Sequence, residues 1–332
     1  GGRERPTGTG AGWSPSWAQP YETALMVELD GRDLSQAAWD RILTTGCGFG
    51  TQLSVPLSVA HARLQAMRSG EALAVHLARL AGQTRISETG PAYLVALISG
   101  GIHGQVRGPA AQQVMGVVSG GDILDRTRQA VELHHSVRQR LDDLGLAVGI
   151  GPSSGFVAEV ATTRHALEIV ARSATALDST SIAVDVAAEH LWNGRSYDVD
   201  GAEHDPARMA DEIRTWIGSS PVTYLEDPFH PDHRDEWRDL TGASSQETTI
   251  VGDDLFATDA AALDRDLASG VVIKINQIGT VTGTIETMQR AQQLGLTTCV
   301  SHRSTETEDP FICHLAVGCN ADHIKLGGPL RG

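Results

Sequence analysis

Short apolar runs alternate with amphipathic stretches from about residue 90 to the end of the sequence. The runs are AYLVALIS, QQVMGVV, SIAVDV, VTYLED, TTIVGDD, VVIKIN, LTTCVSH and DHIKLG. Eight buried strands alternating with helices predict a parallel α/β barrel. The first two runs are joined by too few residues for a helix, so we expect that pair to be antiparallel. A doubly wound open sheet is the alternative.

A helical pattern precedes the strands. Apolar residues recur at three- and four-residue spacing in SQAAWDRILTT, LSVAHARLQAMRSG and EALAVHLARLAG, which predicts a small helical segment over residues 21–90. Residues 1–20 are rich in Gly, Pro, Ser and Thr, and we expect a flexible lead-in there. The barrel is then expected over residues 91–332. The sequence starts without a methionine and stops just after a strand signal, so we expect both ends to be incomplete.

Composition excludes several classes of partner. A formal net charge of -15 argues against nucleic acid, because such binding depends on cationic contacts to phosphate. No apolar run approaches the roughly 20 residues that span a bilayer, so we expect no membrane partner. The cysteines lie apart without a CxxC pair, which favours reduced thiols and a cytoplasmic location.

Ionisable residues end most of the predicted strands, where a buried strand would otherwise stay apolar. In chain order these ends carry Asp185, Glu226 with Asp227, Asp253 with Asp254, Lys274, His302 with Arg303, and Lys325. In a barrel the strand ends converge on the C-terminal mouth, where active sites are assembled. The sequence therefore predicts one site there.

Three of these residues are acids that would repel one another without a cation. Asp185, Glu226 and Asp253 offer only oxygen ligands, which favour Mg²⁺ or Mn²⁺ over zinc. The alternative is that each acid caps the helix that follows it. Because three acids in register are hard to explain as caps, we expect a Mg²⁺ site.

The positions of the lysines indicate the same site at the strand ends. Lys274 and Lys325 are the only lysines among 26 basic residues, and both lie at strand ends. A buried lysine can shift its pKa and act as a base, whereas arginine stays charged. The alternative is that two surface lysines fall at these positions by chance.

Histidines supply further candidates. His302, Arg303 and Ser304 follow one strand, and together they can bind an anionic oxygen or phosphate, although His302 alone could be structural. His103 lies in GGIHGQ, where glycines permit a close approach to substrate. His134 and His135 fall in a helical stretch, and we expect them at the surface.

These residues lie in segments that resemble enolase. The segments are DVAAEHLW, YLEDPF, IVGDDL, IKINQIGTVT, VSHRSTETEDPF and HIKLGGP, and the likeness runs from about residue 24 to residue 329. The resemblance implies that Asp185, Glu226 and Asp253 bind Mg²⁺. It also implies that Lys274 removes the proton next to a carboxylate and that Lys325 contacts the resulting enediolate.

The same resemblance assigns the phosphate end of the site and shows where this chain departs. It places His302 near the leaving group and Arg303 with Ser304 on a phosphate. Enolase has a glutamate in GDEGGF, where this chain has Ser153 in GPSSGF, and another in QEFM, where this chain has Gln113 in QQVM. We therefore expect an intact metal-and-base half and an altered leaving-group half, with no counterpart of the N-terminal enolase domain in residues 1–23.

Three functions follow from these expectations. The leading one is a lyase that eliminates water from a glycerate-like acid bearing a phosphate or phosphonate, similar to the carboxyphosphonoenolpyruvate synthases. The second is an epimerase or isomerase that uses the same enediolate. The third is a non-catalytic binding protein derived from enolase. The expected partner is a small phosphorylated or phosphonylated carboxylic acid, and a homodimer is possible.

Overall fold

The computed structural model describes residues 34–103, 108–175, 177, 180–244, 247–304 and 306–330. The expected lead-in over residues 1–20 lies outside the described residues. The described strands are β1 (Ala92–Ser99), β2 (Gln113–Val118), β3 (Val148–Ile150), β4 (Phe156–Ala158), β5 (Thr180–Asp185), β6 (Tyr197–Val199), β7 (Ala202–His204), β8 (Val222–Glu226), β9 (Thr249–Gly252), β10 (Gly270–Ile273), β11 (Thr297–Ser301) and β12 (His323–Gly327).

Helices cover the outside of these strands. They span Gln36–Arg41, Thr51–Ser69, Leu73–Leu80, Ile123–Asp143, Thr163–Ala174, Pro206–Ser219, Arg234–Ala243, Ile275–Ile278, Val281–Leu294 and Phe311–Gly318. Shorter turns lie at Ile42–Gly46 (π-helical) and at Gly101–His103 and Ala188–Leu191 (3-10). Within the described part of the chain, no helix is both long enough and apolar enough to cross a membrane.

A closed barrel is formed by strands β1, β2, β5, β8, β9, β10, β11 and β12, in that order. β12 pairs in parallel with β1, with Ala92 opposite His323, so the open-sheet alternative is wrong. β2 runs antiparallel to both β1 and β5. The expected α/β barrel with an antiparallel first pair is therefore confirmed.

The barrel interior explains why ionisable residues end the strands. Successive strand residues point to opposite faces, so Ala183 packs inside while Ile182 and Val184 pack outward against the helices. The same alternation turns Asp185 inward at the end of β5. Lys325 follows the outward-packed Ile324 in the same way on β12. Each strand therefore delivers its last inward side chain to the mouth of the barrel.

The helical segment is attached to the outside of the barrel. Asp40 accepts hydrogen bonds from the backbone N–H (2.8 Å) and the hydroxyl (2.6 Å) of Thr282, and Ser58 accepts one from the N–H of Val281 (2.9 Å). A Cβ on Gly318 would lie 2.5 Å from the carbonyl oxygen of Ala74, so this helix contact needs glycine. The predicted domain boundaries at residues 20 and 90 stay a prediction.

Two hairpins were missed by the sequence pattern, β3–β4 and β6–β7. β4 joins β1 through Phe156 opposite Ile98, which carries residues 151–155 to the barrel mouth. His134 corrects the surface expectation: it is buried, its ring stacks on Phe156 with centroids 4.2 Å apart, and its Nε2 lies 3.2 Å from the carbonyl oxygen of Ser154. His134 therefore supports the loop that contains Ser153, whereas His135 is exposed.

Candidate active site

The predicted site residues converge on one cleft of about 180 Å³ at the barrel mouth. Its lining includes His103, Gln113, Ser153, Asp185, Asp253, Lys274, His302, Arg303, Ser304 and Lys325. Glu226 lies just beneath the cleft and is buried. Strand register explains the convergence, because Asp185 lies opposite both Glu226 on β8 and Gln113 on β2.

Lys325 connects two of the acids. Its Nζ donates to Asp185 Oδ2 at 2.8 Å and to both carboxylate oxygens of Glu226 at 3.0 Å. Burial acts to lower the pKa of Lys325, but Asp185 and Glu226 outweigh it, so the net shift is upward. Lys325 is therefore a firmly held cation in this arrangement.

The two acids that share Lys325 titrate differently. Burial acts to raise the pKa of Asp185, but Lys325 outweighs burial and the net shift is downward. Burial and the nearby Asp185 raise the pKa of Glu226 to about 8. Lys325 offsets one negative charge and not two, and Glu226 also lies near Asp253. Without a further cation, Glu226 is therefore mostly protonated near pH 7.

Lys274 pairs with the third acid. Its Nζ donates to Asp253 Oδ2, and Gln277 donates to the other oxygen of Asp253 at 3.4 Å. Thr258 donates to the side-chain oxygen of Gln277 and accepts the backbone N–H of Lys274 at 3.0 Å. Burial acts to lower the pKa of Lys274, but Asp253 and Glu226 outweigh it and the net shift is upward.

Asp227 holds the loop after β9. Its two carboxylate oxygens accept the backbone N–H groups of Asp253 at 2.9 Å and Asp254 at 2.8 Å. Ligand atoms of Asp227, Asp253 and Asp254 lie within 4.8 Å of one another. Because both oxygens of Asp227 accept backbone hydrogen bonds, we infer that Asp227 positions Asp253 and Asp254.

Helix capping does not explain the three predicted ligands. The carboxylates of Asp185, Glu226 and Asp253 accept hydrogen bonds from lysine, glutamine and tyrosine side chains. The caps of the helices that follow β5 and β8 fall on other residues, Ala187 and His233. These three acids are therefore arranged for the cleft and not for helix ends.

Mg²⁺ fits this donor set. Asp185, Glu226 and Asp253 bring hard oxygen ligands to neighbouring strand ends, and all three are buried. Burial and crowding with neighbouring carboxylates raise the pKa of Glu226 to about 8 and of Asp254 to about 7, and a divalent cation would favour the ionised forms of these acids. The assignment of Asp185, Glu226 and Asp253 as the ligands stays a prediction.

The end of the cleft next to β11 is formed by the residues that follow β11 and by the turn Gly101–His103. The backbone N–H of His302 donates to the carbonyl oxygen of Lys325 at 2.9 Å, and Ser304 Oγ lies 3.2 Å from His103 Nε2. Burial, followed by Lys325 and Lys274, lowers the pKa of His302 to about 4. Burial also lowers the pKa of His103. Both imidazoles are therefore neutral near pH 7.

The two positions where enolase has glutamate close the cleft on another side. Gln113 is buried, and its side-chain oxygen has no hydrogen-bond partner among the described residues. The carbonyl oxygen of Ser153 accepts the backbone N–H of Gly328 at 2.8 Å. Gly327, at a φ of +89°, lies so close that a Cβ would be 2.7 Å from that oxygen. The GPSSGF loop is therefore held against the end of β12.

Four polar residues of the cleft were missed from the sequence, and one of them is Ser301 at the end of β11. Gln112 donates to Asp185 Oδ2 at 3.3 Å, Gln277 contacts Asp253, and His190 lines the cleft. Gln277 and His190 lie inside the enolase-like segments IKINQIGTVT and DVAAEHLW. The resemblance to enolase was therefore the signal that could have identified them as site residues. An uncharged polar side chain near a strand end does not stand out in the way that an acid or a lysine does.

A closed α/β barrel with buried acids and lysines at its C-terminal mouth defines a class of proteins that assemble their site from strand ends. The family model described as "Enolase, C-terminal TIM barrel domain" matches residues 88–332. The chain therefore belongs to the enolase family.

Curated relatives support the same assignment. The chain is similar to the enolase of Beutenbergia cavernae, with 32% identity over 251 residues, which cover 73% of this chain and 59% of that protein. It is 31% identical to the enolase of Natranaerobius thermophilus over 317 residues, or 92% of this chain and 70% of that protein. For the Mycobacterium leprae enolase the identity is 32% over 251 residues, 73% of this chain and 58% of that protein.

Proposed function

We propose that the chain is a Mg²⁺-dependent lyase of the enolase type. Its substrate is a glycerate-like acid bearing a phosphate or phosphonate, from which it removes the α-proton and eliminates water. The observation that carries this proposal is that both lysines of the chain line one cleft with Asp185 and Asp253, and that Lys325 also contacts the buried Glu226. A phosphonoformyl glycerate, as used by carboxyphosphonoenolpyruvate synthases, falls within this substrate class.

Lys274 serves as the base in this proposal. Asp253 and Glu226 keep Lys274 protonated when no cation is bound, whereas a divalent cation on these acids would offset their charge and allow Lys274 to lose its proton. Neutral Lys274 then accepts the proton from the α-carbon, and the electron pair of the C–H bond moves onto the carboxylate as an enediolate. The cationic Nζ of Lys325 faces the same cleft and offsets the developing charge. Mg²⁺ held by Asp185, Glu226 and Asp253 supplies Lewis-acid stabilisation of the carboxylate when bound.

Elimination then breaks the bond between the β-carbon and its hydroxyl. The electron pair of the enediolate forms the carbon–carbon double bond, and the departing hydroxide takes up a proton to leave as water. Gln113 can donate a hydrogen bond to this hydroxyl but has no proton to transfer. His103 and His302 line the cleft as neutral imidazoles, so each can hydrogen-bond the departing hydroxyl, while the proton itself comes from water or from an acidic group of the substrate. Arg303 and Ser304 bind the phosphate.

An epimerase or isomerase is the second candidate, favoured by one specific observation. Gln113 and Ser153 stand where enolase has glutamates, so an acidic side chain for the leaving group is missing at both positions. The enediolate would then be reprotonated at the α-carbon. General acid catalysis is typically worth about 10² to 10⁴ in rate, so its loss slows elimination more than proton exchange.

Proton exchange in D₂O separates these candidates. The protein is incubated with Mg²⁺ and, in separate samples, glycerate 2-phosphate, its methyl phosphate diester and a phosphonoformyl glycerate, and each sample is followed by proton NMR. A lyase loses the α-proton signal and produces vinyl signals, whereas an epimerase or isomerase exchanges the α-proton without them. If the protein catalyses neither proton exchange nor elimination, the proposal is wrong and the hypothesis of a non-catalytic binding protein remains.

Lys274→Arg is the informative variant for this experiment. Arginine keeps a positive charge beside Asp253 but cannot lose its proton. We expect exchange to fall by about 10² to 10⁴ while Mg²⁺ binding is retained. Unchanged exchange in Lys274→Arg would exclude Lys274 as the base.

A further inference from the structure

A second cleft opens beside the candidate active site. Its volume is about 850 Å³, against about 180 Å³ for the first cleft. The two clefts share four lining residues, Ser153, His302, Arg303 and Ser304. The first cleft has room for a small acid, and the second is within the size range of pockets that hold larger organic ligands. The two clefts therefore adjoin along these four residues, at the proposed phosphate position.

The second cleft has several apolar lining residues, which are Ile150, Pro152, Pro310, Ile312, Cys313 and Leu326. Ile150 and Leu326 are 41% and 43% exposed, so both present apolar surface that a ligand could cover. This composition favours an organic group over a bare phosphate.

The second cleft also has three acidic lining residues, Glu306, Glu308 and Asp309, and Arg303 is the single lysine or arginine among its described lining residues. Asp309 is held in a two-point ion pair by Arg63. Glu306 and Glu308 are exposed. A negatively charged group beside these exposed acids would be repelled, more weakly than in a buried site because solvent screens the charges, whereas a neutral or cationic group would not be repelled.

Ser153 lies at the junction of the two clefts. It is buried there, and its backbone is tied to Gly328. At this place enolase has a glutamate, which is longer and negatively charged. The short neutral hydroxyl of Ser153 therefore leaves the junction open to a group that continues from one cleft into the other.

We propose that the second cleft binds an uncharged or cationic, partly apolar substituent carried on the phosphorus of the substrate. The substrate is then a phosphorus diester of a glycerate-like acid and not a terminal phosphate. This inference rests on the proposed function, because the proposed function places the phosphorus at Arg303 and Ser304. It narrows the substrate class by excluding an additional carboxylate on the phosphorus.

Three matched ligands test this inference by calorimetry in the presence of Mg²⁺. They are the methyl, benzyl and carboxymethyl phosphate esters of glycerate 2-phosphate. All three have a diester phosphorus, so they differ only in the group that would enter the second cleft. We expect the benzyl ester to bind about ten-fold more tightly than the methyl ester, and the carboxymethyl ester to bind more weakly than the methyl ester. Equal affinities for the benzyl and methyl esters would overturn the inference.

Ile150→Trp places a bulky side chain into the second cleft from β3, outside the catalytic residues. We expect it to remove most of the benzyl advantage and to leave the methyl ester unchanged. Leu144→Trp, at an exposed position that lines neither cleft, is the matched control. A benzyl advantage that survives Ile150→Trp would also overturn the inference.

The unsubstituted glycerate 2-phosphate distinguishes the two levels of the proposal. If it exchanges its α-proton while the benzyl ester gains nothing, the second-cleft inference is wrong and the proposed function stands. If none of the ligands binds or exchanges, the proposed function is wrong and the inference falls with it.

Discussion

Lys325 and Asp185 are 140 positions apart in the sequence, yet Lys325 Nζ lies 2.8 Å from Asp185 Oδ2. The two residues are on β12 and β5, which are separated in the barrel by β1 and β2. The ion pair therefore crosses the mouth of the barrel. Both side chains are buried, so each charge depends on the other for compensation.

Removing Lys325 should destabilise the metal-free protein strongly. Lys325→Met leaves the buried acids Asp185 and Glu226 without their cation, and breaking a buried pair in this way typically costs about 3 to 5 kcal/mol. Urea unfolding without Mg²⁺ measures this loss. In the double variant with Asp185→Asn the loss should be smaller than the sum of the two single losses. Additive losses would show that the two residues are not coupled.

Asp227→Asn should weaken Mg²⁺ binding without unfolding the protein. An amide has one acceptor oxygen, so one of the backbone N–H groups of Asp253 and Asp254 would face an NH₂ group. Loss of such a supporting contact typically costs about ten- to a hundred-fold in metal affinity. Calorimetric Mg²⁺ titration measures it, with the exposed Asp211→Asn as control. Equal affinities for the two variants would contradict the positioning role.

His302 should stay neutral down to low pH. Its pKa is lowered to about 4, while a histidine in an unfolded chain titrates near 6.5. Between about pH 6.5 and 4 the unfolded chain binds a proton that the folded chain does not, so the stability that His302 contributes falls as the pH falls through this window. An NMR titration of the His302 ring measures the pKa directly.

The pH dependence of the unfolding free energy provides a second check of the same prediction. His302→Gln should flatten the fall of the unfolding free energy between about pH 6.5 and 4. His135→Gln, on the exposed side of its helix, is the control. A His302 ring that titrates near 6.5 would contradict the prediction.

Gln113→Glu should raise elimination relative to proton exchange. Gln113 is buried and lies opposite Asp185 in the β2–β5 register, so burial and the like charge would keep the new carboxyl protonated. A protonated acid beside the leaving group could increase elimination by about 10² or more. Gln112→Glu is the matched control, because it removes a hydrogen bond to Asp185 and adds repulsion there. A larger gain from Gln112→Glu would refute this assignment.

Gly318→Ala should loosen the helical segment from the barrel. The added Cβ would meet the carbonyl oxygen of Ala74 at 2.5 Å, and overpacking of this kind costs about 1 to 3 kcal/mol. Gly218→Ala is the matched control, since its Cβ would meet nothing within 4 Å inside the helix Pro206–Ser219. The midpoint of thermal unfolding should fall in Gly318→Ala and should not fall in Gly218→Ala.

The barrel strands were predictable because each is buried on both faces and reads as an apolar run. The hairpins β3–β4 and β6–β7 were not, because each of their strands has three residues, too few to show a period. His134 was misplaced for a related reason. The burial of His134 is created by Phe156 and Ser154, which come from a hairpin that the pattern did not reveal.

By itself the sequence determined the barrel and the candidate chemistry, because burial on two faces selects apolar residues and makes every acid or lysine at a strand end stand out. Only the tertiary structure decided that Lys325 pairs with Asp185 and Glu226 while Lys274 pairs with Asp253. That pairing depends on barrel closure and strand register, which act between distant residues. The tertiary structure also decided that the second cleft opens at Ser153, since loops from separate parts of the chain enclose it.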